Sequence, residues 1–136
     1  MRTRVGVSAA CLAFLAGAIP LAAHHSFDAE YDRNKPIALV GVVTKIEWMN
    51  PHARFYVDVK DSGGNITQWN LELGSPASLI RRGWTRKSLQ VGDQVTVNAS
   101  LAKDGSKMAN VRTVILANGK SVFGASSADN PADGKE

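Results

Sequence analysis

The spacing of apolar residues predicts an all-β chain with one short helix, closed as a five-stranded Greek-key barrel. Three observations carry that expectation. Residues 53–60 and 66–73 alternate apolar and polar side chains with the period of a half-buried strand. Turn signals built from Gly, Asn, Asp and Pro recur between the β-rich stretches. Between Ser75 and Gly83 a single segment carries helix start and stop signals.

The first 23 residues stand apart from this pattern. Residues 1–4 are cationic through Arg2 and Arg4, residues 5–19 form an uncharged apolar run, and residues 20–23 end it on two alanines. Together they are expected to be a secretory signal peptide cut after Ala23, leaving His24 as the new N-terminus and placing the protein in the periplasm. The run is too short for a transmembrane helix, which needs roughly 20 apolar residues, so no membrane anchor is expected in the mature chain. Cys11 has Ser8 rather than a large apolar residue three places before it, which argues against lipid attachment.

Without the leader, 113 of the 136 residues remain, with 14 Lys+Arg against 12 Asp+Glu and no cysteine. An exported domain of that size has no disulfide to staple it and must rely on its apolar core. With 44% hydrophobic and 21% charged residues overall, the composition is that of an ordinary globular domain.

Residues 24–36 are polar apart from Phe27 and Tyr31 and read as an N-terminal arm laid over the body. The first strand is expected at residues 37–48, with Val40, Val42, Val43 and Ile46, and with a bulge or bend at Gly41. Asn50-Pro51 is turn chemistry. The second strand points Phe55, Val57 and Val59 inward, and residues 61–65 turn the chain into a third strand with Trp69, Leu71 and Leu73 on one face and Gln68, Asn70 and Glu72 on the other. Ser75 caps a short helix starting at Pro76 and ending at Arg81-Arg82 before Gly83. After a turn at Val91-Gly92-Asp93 comes a fourth strand with Val95 and Val97 inward. Residues 103–106 form a second hairpin turn, a fifth strand runs through 108–116, and Asn118-Gly119 leads to a last short strand at Val122-Phe123. The barrel domain is thus expected at 37–123, and residues 124–136, small and polar, read as a disordered tail. Three strands, a helix and two strands is the element order of the OB-fold; a small β-sandwich is the alternative.

Several motifs carry a resemblance. His24-His25-Ser26-Phe27, Glu30-Tyr31-Asp32, Glu47-Trp48-Met49-Asn50-Pro51-His52, Glu72-Leu73-Gly74-Ser75-Pro76 and Arg81-Arg82-Gly83-Trp84-Thr85-Arg86 resemble a small exported bacterial family known as domain of unknown function 6152. The resemblance implies export across a bacterial inner membrane. It brings no established activity to any residue.

All three histidines fall at two places, His24-His25 and His52. An N-terminal His24 would offer its α-amine and one ring nitrogen to a single ion, and His52 would complete a three-nitrogen set suited to Cu(II), with His25 as a substitute or outer donor. The competing account is a solvated terminus and a turn histidine that hydrogen-bonds locally. Trp48, Asn50 and His52 mark the barrel mouth as the expected contact surface for an unidentified small molecule or envelope protein. Arg81, Arg82, Arg86 and Lys87 could hold a phosphate or an anionic lipid head, or could simply complement the helix dipole.

A mature net charge of +2 and an envelope location argue against nucleic acid, which is not expected as a partner. The chain lacks a cysteine nucleophile in its mature part, a Gly-x-Ser-x-Gly elbow, a phosphate loop and a His-Glu-x-x-His motif, so a non-enzymatic binding module is expected, with copper binding as the alternative.

Overall fold

The computed structural model describes residues 27–126. In chain order these form α1 (Phe27–Glu30), β1 (Tyr31–Glu47), β2 (Arg54–Lys60), β3 (Ile66–Glu72), α2 (Pro76–Arg81), β4 (Gln94–Ala102), β5 (Met108–Ile115) and β6 (Ser121–Phe123). The strands lie in the order β3-β2-β1-β4-β5-β6, and an additional parallel pairing of β3 with β5 closes the first five into a ring. Closure of that ring, with α2 between β3 and β4, makes the fold an OB-type barrel.

Alternation fills its interior. Phe55, Val57, Leu71, Val95, Val97, Val111 and Val114 are all fully buried, and Trp69 joins them. Each such aliphatic side chain contributes about 1.5–3 kcal/mol by leaving water. α2 follows its signals closely: Ser75 Oγ accepts from Ser78 N, Pro76 opens the helix, and Gly83 takes a positive φ of 93° just beyond it. Its Leu79 and the following Trp84 and Leu89 join the core at that end of the barrel. Trp84 Nε1 donates to Phe123 O at 2.8 Å, tying the post-helix loop to β6.

Two boundaries and one local feature differ from the expectation. β1 begins at Tyr31 and not at 37, so residues 31–36 of the expected arm belong to the barrel: Tyr31 stands opposite Ala102 and Pro36 opposite Ser100. The polar residues between them fall in a register shift, where Arg33, Asn34 and Lys35 are exposed, and that polarity hid the strand.

Gly41 carries no bulge, since it pairs with Val95 in unbroken register and the shift comes between Val43 and Lys45. Gly41 is instead a close approach: a Cβ there would sit 2.8 Å from the Asp58 carbonyl oxygen, near where β1 passes from β4 to β2. Thirdly, the chain does not leave the body at Gly124. Gly74 N donates to Gly124 O, Gly124 N donates to Arg112 O, both at 2.8 Å, and Ala125 and Ser126 are buried. Small residues at 124–126 reflect tight packing, because a Cβ on Gly124 would lie 2.2 Å from Val111 O. The expected leader, His24, His25 and the tail from residue 127 onward lie outside the described residues.

Candidate functional site

The end of the barrel covered by α2 carries two polar groups of side chains that meet at His52. The first is buried around Glu72. Alternation along β3 aims Glu72 away from the core, with Gln68 and Asn70, yet only 4% of it is exposed. Tyr31 at the start of β1 and Asn110 on β5 enclose it. Tyr31 Oη donates to Glu72 Oε2 at 3.0 Å, Arg54 Nη2 donates to the same oxygen, and Asn110 Nδ2 donates to Oε1 at 3.3 Å. His52 Nδ1 lies 3.2 Å from Oε1. Arg54 also reaches Asn70 Oδ1 across the β2–β3 ladder.

A carboxylate in that setting is held by its partners, as a buried charge must be. Burial first, and then the charge of Glu72, push the Tyr31 hydroxyl well above the usual tyrosine range. In the same cluster Asn110 Oδ1 is buried without a hydrogen-bond partner among the described residues.

The second group lines a cavity of about 350 Å³ on the other side of His52. Its walls come from three separated stretches: Pro51 and His52, the Gly74–Ser75 connection with α2, and Ala125-Ser126. The chain reaches the cavity through a cis Asn50–Pro51 bond. Ser78 and Arg81 of α2, and Arg82 just after it, line the same space. Ser75 Oγ donates to Ser78 Oγ at 3.0 Å, and Arg81 Nη2 donates to the same atom at 3.1 Å. With two donors aimed at its oxygen, Ser78 keeps its own proton to give. Among the described residues the Arg82 guanidinium has no partner. Among the described residues no carboxylate lines the cavity.

Of the three contact residues expected from the sequence, His52 lies on the cavity, whereas Trp48 packs its ring 6.5 Å from that of Trp84 and Asn50 is exposed away from the lining. For the expected metal set, only His52 is described, and no group of 3 or more His, Cys, Asp and Glu that could hold a metal occurs among the described residues. Sequence reasoning missed Glu72, Tyr31, Arg54 and Asn110 as one cluster. Glu72 sits in a polar row and nothing local marks it as buried; the signal is only in the β1 and β5 neighbours. Arg81 and Arg82 stand out as a basic pair in the sequence, but nothing in it shows their convergence with His52 on one cavity. No helix among the described residues is long and apolar enough to cross a membrane.

The fold and site define a small OB-type barrel with a polar cavity beside its helix-covered end. The chain belongs to the Family of unknown function (DUF6152), whose model matches residues 12–111. No curated protein matches it. Among solved structures, the mitochondrial single-stranded DNA-binding protein Rim1 from S. cerevisiae is similar, with 15% identity, a TM-score of 0.47, and coverage of 60% of this chain and 93% of that one. The exclusion of nucleic acid drawn from the sequence does not stand on net charge. A net charge summed over the chain says little about any one face, and here Arg81, Arg82, Arg86 and Lys87 are all exposed near one another in sequence.

Proposed function

We propose that this protein is an exported, non-enzymatic binding module that takes a small ligand in the cavity between His52 and α2. The observation that supports it is the lining itself: a half-open space of about 350 Å³, within the usual range for ligand sites, walled by hydroxyl, imidazole and guanidinium groups from three parts of the chain. A hydrolytic reading is weaker. His52 faces Glu72 and serines line the same cavity, but the Ser75 proton goes to Ser78 and no hydrogen bond joins His52 to Ser75 or Ser78. Nucleophile activation needs that bond.

Native mass spectrometry of protein recovered from the periplasm tests the proposal. A co-purified small molecule is expected, lost when Ser78→Trp fills the cavity. Protein that is absent from the periplasm, or that carries the same molecule with the cavity filled, refutes it.

A second reading, copper binding, draws support from the 3.2 Å approach of Glu72 to His52 Nδ1. A carboxylate on one imidazole nitrogen orients the other toward a metal ion. Because no described cluster supplies the remaining ligands, they would come from His24 and His25. Copper titration of protein starting at His24 is expected to give much tighter binding than protein carrying one extra N-terminal residue; equal affinities would remove the brace.

A further inference from the structure

Among the described residues the cavity walls offer hydrogen-bond donors and positive charge with no acid to neutralise them, and from that imbalance we propose that its ligand carries a phosphate monoester group. This rests on the cavity being a ligand site, as proposed above, and adds the chemistry of what enters it. Three features point the same way. Arg82 lines the cavity with its guanidinium unpartnered. Arg81 spends one N–H on Ser78 Oγ, which leaves its other donors for a ligand and holds its head on the cavity side. Ser78 Oγ, accepting from both Ser75 and Arg81, presents its own proton outward.

Two guanidinium groups that cannot be deprotonated set a local charge near +2, and a phosphate monoester, at about −1.5 to −2 near neutral pH, matches it. The guanidinium fork suits two phosphate oxygens at once, and a hydroxyl donor can take the third. Nearby negative charge does not spoil the match. Glu72, behind His52, is already saturated by Tyr31, Arg54 and Asn110. The rest of the volume leaves room for an organic portion against Pro51 and Ala125. The same chemistry is presented by a free phosphorylated metabolite and by the headgroup of phosphatidic acid.

The test uses the full-length product as purified, titrated with inorganic phosphate and with phenyl phosphate while backbone amide NMR signals are followed. It is then mixed with phosphatidylcholine vesicles with and without phosphatidic acid. Saturable shifts are expected at Ser75, Ser78 and Arg82, and Arg82→Gln should weaken phenyl phosphate binding about tenfold or more, with Arg82→Lys intermediate. Thermal melting of Arg82→Gln should match that of the parent, separating lost recognition from lost folding.

Binding of the soluble esters without vesicle association assigns a free metabolite; sedimentation only with phosphatidic acid vesicles assigns a lipid head. Either supports the proposal. Absence of both, or equal affinity in Arg82→Gln, overturns the phosphate class. If a neutral molecule is then found with the native protein, the cavity remains a ligand site and only its chemistry was misjudged.

Discussion

The two polar regions that meet at His52 are made of similar side chains and have opposite balances. On the Glu72 side, one carboxylate receives three hydrogen bonds and faces an imidazole, in a setting almost closed to water. On the cavity side, donors outnumber acceptors and the space is half open. A carboxylate whose oxygens are held by buried donors fixes positions, whereas donors left open on a cavity wall are free to meet a ligand. The difference supports reading the first as structural and is the basis for proposing the second as a binding surface.

Breaking the first region should give the largest effect. Glu72→Ala would strand Arg54, Tyr31, Asn110 and His52 around an empty site, and a loss of about 3–5 kcal/mol is expected from urea unfolding. A loss below 1 kcal/mol would mean that the cluster is solvated and that the contrast drawn here is false.

Gly74→Ala should come next. Its Cβ would meet Ala125 O at 2.0 Å, so the 124–126 segment must move away from the cavity. A destabilisation of about 1–3 kcal/mol is expected, accompanied by weaker ligand binding, since the same segment forms one wall. Unaltered binding in a folded Gly74→Ala protein would show that this wall is dispensable.

Tyr31→Phe keeps the ring and removes one hydrogen bond to Glu72, for an expected cost of about 1 kcal/mol at neutral pH. Its pH dependence sharpens the test. The raised hydroxyl keeps its proton in the folded chain at pH values where the unfolded tyrosine has lost it, so stability is full below about pH 10 and declines above it. Tyr31→Phe should flatten that alkaline decline; an identical decline in the variant would place the titration elsewhere.

Arg82→Gln should be the smallest, within about 0.5 kcal/mol in stability, because its exposed guanidinium touches no partner. A larger loss would move Arg82 from recognition to structure.

The barrel was legible because its residues obey local rules. Phe55 and Val57, Trp69 and Leu71, Val95 and Val97 alternate, and α2 shows every boundary residue expected of a short helix. What failed to show is non-local. Tyr31 looks like part of a polar arm until β4 is placed beside it, and Glu72 looks solvent-facing until Tyr31 and Asn110 cover it. Smallness at 124–126 is ambiguous in a sequence, since disorder and close backbone approach ask for the same residues. His52 stands out in the sequence, but Arg81 and Arg82, which share its cavity, come from another part of the chain, and no spacing rule links a turn to the end of a distant helix.

The hydrogen bond from Gly74 to Gly124 has a practical side. Trimming the gene after the last strand, at Phe123, is the natural choice for anyone preparing a minimal domain. Such a product would keep every barrel strand and a normal circular-dichroism spectrum, yet it would have lost one side of its only proposed receptor surface, and a negative ligand screen on it would mislead. Expression plasmids should therefore run past Ser126, with purification handles appended further downstream.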